Sequence, residues 1–321
     1  MAAGIEALRE GVLRGDRVAL ARALSLIESV RDEDRRARLA MLRGLQPPQK
    51  PIYRVGFTGA PGAGKSTLID SLGAYLLEQY PTARLAVLTV DPSSWRSGGS
   101  LLADQTRMRH LASHPRAFIR TFASGGHLGG LHPRIYEAIT LCEAAGFDWL
   151  FIESVGTGQS EVELRYACDF LLYVALPYAG DEVQGIKRGL MEALDGIALN
   201  KADTVPPDAL RRAQFQLETA LHFLRGHETP FPFVLPVSAL TASGLPELWE
   251  KIFAAFSLES LEPQRQAQLR YWITKYWEEA LHAWLERSPY GITYASIQAR
   301  ADTTPLWQLV EEIYAVFGLI S

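Results

Sequence analysis

Two glycines, a lysine and a serine are spaced for one kind of chemistry in the run Gly59-Ala60-Pro61-Gly62-Ala63-Gly64-Lys65-Ser66. Glycines let successive backbone N–H groups curl around an anion, and a helix that starts at the lysine aims the positive end of its dipole at the same point. In such a loop Lys65 reaches the β- and γ-phosphates of a nucleotide and the Ser66 hydroxyl ligates Mg2+. The flanks agree with this: an apolar, β-rich run over Ile52–Thr58 leads in, and a helix-like run over Thr67–Glu78 leads out. A Gly-rich turn that binds nothing is the plainer use of such residues, but it does not call for that context.

Further candidates follow other apolar runs. Asn200-Lys201-Ala202-Asp203 has the spacing of a guanine reader. A carboxylate at Asp203 accepts from the ring N1–H and the exocyclic amine, a donor pair that adenine lacks; the Lys201 stem covers the ring and Asn200 ties neighbouring loops. Backbone groups of Ser238-Ala239-Leu240 can add a contact to the guanine carbonyl. Asp91 and Asp104, flanking a Ser/Gly-rich stretch, suit Mg2+, which takes hard oxygen ligands; helix capping or a turn is the alternative for each. Glu153 ends an apolar strand three residues before Gly156, so its carboxylate can serve Mg2+ while the Gly156 N–H senses the γ-phosphate. Many small GTPases place a water-orienting Gln directly after that glycine. Here Thr157 follows and Gln159 comes two positions later. The expectation is slow intrinsic hydrolysis, with Lys65 and Glu153 in the catalytic centre and Gln159 as the candidate for positioning water, against a simple packing role in its loop.

These residues need a scaffold that brings strand ends together. Strand-like runs fall at Ile52–Thr58, Leu85–Val90, Ala117–Phe122, Trp149–Glu153, Phe170–Leu176, Gly196–Asn200 and Phe233–Ser238, mostly with helical stretches between them. Short apolar strands joined by helices predict an α/β fold, a mostly parallel sheet with helices on both faces, whose ligands bind at the carboxyl ends of the strands. Residues 1–48 form a helical extension: Asp16 caps a helix whose Val18, Leu20, Ala21, Leu24 and Ile27 make an apolar face. A proline-rich linker leads to the nucleotide domain, 49–261. From 262 to 321 the pattern is helical again, with Leu269, Trp272, Ile273, Tyr276, Trp277, Ala280, Leu281, Trp284 and Leu285 recurring at three- and four-residue spacing, followed by a turn at Ser288–Gly291 and a shorter helix pair. That surface packs on the chain's own core or on a second copy.

Composition sets limits. Over 321 residues the net charge is −4, with 48% hydrophobic and 21% charged residues, a globular balance without a basic block for nucleic acid. Two cysteines in apolar runs, Cys142 and Cys168, read as reduced core residues of a cytoplasmic protein. No run of about 18 apolar residues predicts a membrane span, and the N-terminus has neither a signal core nor the acid-poor character of a transit peptide.

The chain resembles the MeaB/MMAA family of P-loop GTPases, also called ArgK. Five segments carry the likeness: Gly15–Ser29, Gly59–Leu68, Asp91–Met108, Glu153–Glu161 and Pro177–Glu192, with Asn200–Asp203 after them. The resemblance implies a P-loop NTPase fold and a G-protein chaperone that uses GTP binding and hydrolysis to gate cofactor loading and to protect or reactivate an adenosylcobalamin-dependent acyl-CoA mutase. It also implies a homodimer through the C-terminal helices. By position, Lys65, Ser66 and Thr67 match phosphate-binding residues, Asp91, Asp104 and Glu153 the acidic positions around Mg2+, and Asp203 the guanine reader. The segments 124–131, 156–161 and 180–187 match switch regions, the last facing the mutase. Two departures stand out: Gly125-Gly126-His127-Leu128-Gly129-Gly130 carries His127 in place of a hydroxyl, and Gln105 replaces a lysine. The partner the resemblance implies is methylmalonyl-CoA mutase or a relative, and the two departures point to a less common one, acting on isobutyryl- or 2-hydroxyisobutyryl-CoA. Metal insertion and protein phosphorylation are the competing uses of such a domain. The first wants soft or imidazole ligand clusters and the second a general base beside an acceptor, and neither motif stands out.

Overall fold

The computed structural model describes residues 2–29, 31–45, 50, 52–91, 107–123, 131–154, 162–178, 188–226, 231–256 and 261–286. By internal contacts the chain forms two compact units, Met1–Arg265 and Gln266–Ser321.

In the first unit all seven expected strands form: β1 (Tyr53–Thr58), β2 (Leu85–Asp91), β3 (Ala117–Ala123), β4 (Trp149–Glu153), β5 (Phe170–Ala175), β6 (Gly196–Leu199) and β7 (Phe233–Pro236). They make one sheet in the order β3-β2-β4-β1-β5-β6-β7, and every neighbouring pair is parallel. Parallel neighbours require helical crossovers, which is why the strands are apolar on both sides rather than alternating. Val55, Phe57, Val87, Phe151 and Leu172 join one core with Leu68, Ile69, Leu72 and Leu76 of α4 (Lys65–Gln79). The intervening residues Ala86, Leu88, Leu150, Ile152 and Leu171 are buried just as completely. On their face Arg54 reaches Glu143 of α6 (Ile135–Ala144), its Nε 2.9 Å from Oε1. Burying each of the large α4 side chains contributes about 1.5–3 kcal/mol, so the helix that opens the phosphate loop is held along its length.

The N-terminal extension is three helices, α1 (Ala2–Leu13), α2 (Arg17–Glu28) and α3 (Asp32–Arg43), in contact with one another; α2 also meets α6 and β3. Asp16 caps α2 as expected, accepting from Val18 N at 2.7 Å and Ala19 N at 3.0 Å. Its apolar face differs from the expected one. Leu20, Ala23, Leu24 and Ile27 are buried, whereas Val18 is 60% exposed. At about 100° per residue Val18 lies some 200° from Leu20, on the far side of the stripe.

The remaining helices are α5 (Arg109–Ser113), α7 (Arg188–Ala193), α8 (Pro207–Arg225), α9 (Leu245–Phe256) and α10 (Leu261–Glu286). The start of α10 is bound to the amino-terminal end of the sheet by a buried carboxylate. Asp169, whose side chain is fully enclosed, accepts from Arg54 N at 3.0 Å and from Arg265 Nε at 3.0 Å and Nη2 at 2.7 Å. Removing Asp169 takes from Arg265 its ion-pair partner and from the Arg54 N–H its acceptor. Asp169→Ala is therefore expected to lower unfolding free energy by about 3–5 kcal/mol, read as the shift in a urea denaturation midpoint.

Candidate functional site

The loop after β1 is shaped by glycines at two points. Gly59 has φ 138°, and a Cβ there would lie 2.2 Å from the Val174 carbonyl oxygen of β5. Gly64 has φ 89°, and a Cβ there would meet Asn200 Nδ2 at 2.6 Å. Positive φ and close backbone approach are both beyond other residues without strain. After Gly64 the chain enters α4, whose first turn carries no acidic residue to compete for its free N–H groups. Lys65 is buried, and its Nζ donates to Gly59 O at 2.7 Å and Ala60 O at 3.2 Å, laying the cation along the loop from Gly59 to Gly64. Thr67 follows in the same first turn.

Ser66 and Glu153 meet although 87 residues apart: the hydroxyl donates to Oε1 at 2.9 Å and Oε2 at 3.1 Å. Register explains it, since Glu153 ends β4 opposite Phe57 of β1 and Thr89 of β2. Two oxygens on adjacent corners of an octahedron with bonds of 2.0–2.1 Å stand about 2.9 Å apart, so this donor pair fits Mg2+. Asp91 closes β2 in register with Ala123. Its side chain lies outside the described residues, as do Asp104, Gly156, Thr157, Gln159 and the segments 124–130 and 179–187.

The guanine-type motif stands across the same loop. Asn200 is buried and bidentate: Nδ2 donates to Ala63 O at 2.8 Å, and Oδ1 accepts from Ala239 N at 3.1 Å. Lys201 adopts the left-handed conformation, φ 61°, and its Nζ donates to Gly62 O at 2.9 Å. Asp203 is exposed on the 3-10 turn Ala202–Thr204. Of the three backbone donors after β7, Ser238 N is bonded to Ser243 O at 2.9 Å and Ala239 N to Asn200, while exposed Leu240 carries the third. Sequence reasoning missed Ser71, whose hydroxyl on α4 donates to Ala239 O at 2.7 Å and ties the helix after the glycine-rich loop to the turn after β7. A serine on a helix facing a carbonyl 168 residues later leaves no local signal.

Residues 20–288 match the model of the family described as Methylmalonyl Co-A mutase-associated GTPase MeaB. The chain is 40% identical over 284 residues to the GTPase ArgK of Escherichia coli, covering 87% of this chain and 84% of that protein. It is also 40% identical over 284 residues to the Methylmalonic aciduria type A homolog, mitochondrial, of Mus musculus, covering 84% of this chain and 68% of that protein. A crystal structure described as LAO/AO transport system kinase superposes with a TM-score of 0.74 at 30% identity, covering 98% of both chains. A parallel sheet with a phosphate loop at the head of α4 and a base-reading motif after β6, read with these relatives, defines a P-loop GTPase, which binds guanine nucleotide and hydrolyses GTP. Within that class the chain belongs to the family of methylmalonyl-CoA mutase-associated GTPases, MeaB.

Proposed function

We propose that the chain is a GTP-operated chaperone of an adenosylcobalamin-dependent acyl-CoA mutase, gating cofactor loading and protecting or reactivating the loaded enzyme. The carrying observation is the family match over 20–288, supported by the bonds that join the glycine-rich loop to Asn200 and Lys201 and Asn200 to Ala239. In this reading Gly59–Gly64 and the first turn of α4, Lys65, Ser66 and Thr67, hold the phosphates. Asn200, Lys201, Asp203 and Ser238–Leu240 hold the base, and Gly156 faces the γ-phosphate. Ser66 and Glu153, with Asp91 and Asp104, hold Mg2+, which neutralises phosphate charge when bound. Lys65 stabilises the negative charge that grows on the transferred group, and Gln159 orients water. The three-part division 1–48, 49–261 and 262–321, and a cytoplasmic site of action, belong to the same reading. No helix among the described residues is long and apolar enough to cross a membrane.

The test is GTP turnover with and without each candidate mutase, those acting on methylmalonyl-, isobutyryl- and 2-hydroxyisobutyryl-CoA. One of them should raise inorganic phosphate release several-fold and accept adenosylcobalamin only in one nucleotide state. No stimulation by any of them refutes the mutase partner. The same assay with γ-labelled GTP separates the second reading, raised by the kinase description of the superposed structure: label appearing on protein rather than in free phosphate supports it. Against metal insertion, both cysteine thiols are wholly enclosed, and burial pushes each above the usual thiol range, the opposite of what a thiolate ligand needs.

For the dimer, α10 supplies the surface. Leu269, Ile273, Trp277 and Trp284 are 45%, 57%, 74% and 46% exposed, at spacings that put them on one stripe, while Trp272 is buried. Two tryptophans so exposed support an association surface there. Trp277→Glu with Trp284→Glu should turn a dimer into a folded monomer by light scattering. A monomeric parent protein would remove the proposal.

A further inference from the structure

Tyr178 lies three residues beyond β5, and its ring is 63% exposed, so it adds little to the core. Its hydroxyl is nevertheless engaged, donating to the carbonyl oxygen of Thr204, 26 residues later. That carbonyl ends the 3-10 turn Ala202–Thr204, which carries Asp203. The other bonds of the turn go to Lys201 and to the chain after β7. Ala202 N donates to Val237 O at 3.0 Å, and Thr204 folds back on Lys201 O through its N–H at 3.0 Å and its hydroxyl at 2.7 Å. Of these bonds, that from Tyr178 alone reaches the turn from the β5 side, and it grips the carbonyl one residue after Asp203.

We propose that Tyr178 is a positioning residue for guanine recognition: its hydroxyl fixes the far end of the turn so that the Asp203 carboxylate meets both base donors together. The inference rests on reading Asp203 as the guanine reader. A carboxylate accepting two parallel N–H bonds is sensitive to tilt, because rotation of the turn lengthens one bond before the other. Without the Tyr178 brace the bond to the exocyclic amine suffers most, and discrimination between guanine and a base lacking that amine falls.

The test uses the full-length chain and displacement of fluorescent GDP by unlabelled GDP, IDP, XDP and ADP. IDP carries hypoxanthine, which has the ring N–H but no exocyclic amine. Tyr178→Phe removes one hydroxyl from an exposed ring and should leave the thermal unfolding midpoint unchanged. It should weaken GDP about fivefold, the loss of one ordinary hydrogen bond, and IDP much less, so that GDP-over-IDP selectivity falls. Parent-like binding of GDP and IDP overturns the proposal, and so does an equal loss for GDP, IDP and ADP, which would mark a general structural role. Asp203→Asn, run alongside, separates the two levels. A switch toward XDP keeps the guanine reading whatever Tyr178→Phe does, whereas a parent chain that binds ADP as tightly as GDP refutes that reading itself.

Discussion

Lys65→Ala is expected to reduce single-turnover GTP hydrolysis by about 10²–10³-fold, the scale of removing one preorganised charge donor from a transition state. The side chain is 9% exposed and already aligned along the loop, bonded to Gly59 O and Ala60 O, so its ammonium needs little rearrangement to meet a phosphate oxygen. Negative charge spreads over the oxygens of the transferred group as the bond to the leaving phosphate lengthens. A buried cation beside them is worth far more than one in water. The two bonds to the loop are lost as well, so a modest fall in stability should accompany the effect. Circular dichroism separates the two, because the sheet and α4 are held by their apolar faces. Turnover within threefold of the parent, in a protein that still binds GTP, would remove Lys65 from the catalytic group.

The second large effect concerns base choice. Asp203→Asn turns a carboxylate that accepts from two N–H groups into an amide that presents one acceptor and one donor. The donor then faces a guanine donor, and each lost charge-assisted bond removes about 1.5–3 kcal/mol. GTP affinity should fall about a hundredfold or more. Xanthosine nucleotide, with a carbonyl where guanine has its amine, should bind better than it does to the parent. Because Asp203 is exposed, the variant should fold normally. Unchanged GTP affinity would refute the assignment of Asp203 to the base.

Much of this architecture is legible in the sequence because it is local. Seven apolar runs became seven strands, since a strand covered on both faces must be continuously apolar, and such runs between helical stretches are visible without a partner. Asp16 read correctly because a cap acts within three residues. The face of α2 read less well: Val18 and Leu20 are both apolar, and only the neighbours of the helix decide which of two sides is covered. Strand order was not legible, since β1 lies between β4 and β5 and nothing in Tyr53–Thr58 names those neighbours. At the site the same division holds. The glycine-rich loop at Gly59–Ser66 and the Asn200–Asp203 motif announce themselves because each is contiguous in the sequence. Ser71, Tyr178 and the meeting of Ser66 with Glu153 do not, because each depends on a carbonyl or carboxylate brought close by the sheet.

The two-handed grip of Asn200, one hand on Ala63 O and the other on Ala239 N, has a consequence for how nucleotide fragments behave. The halves of the pocket are assembled on folding rather than by the ligand, so the ordering entropy is largely spent before nucleotide arrives. Guanosine and pyrophosphate supplied separately should then each find a formed half-site, and neither should change the affinity of the other much. Cutting the grip would leave the halves to be ordered by ligand, so that each fragment then raises the affinity of the other by the same factor, as linkage requires. Release of nucleotide would then be governed by a side chain that joins the two halves.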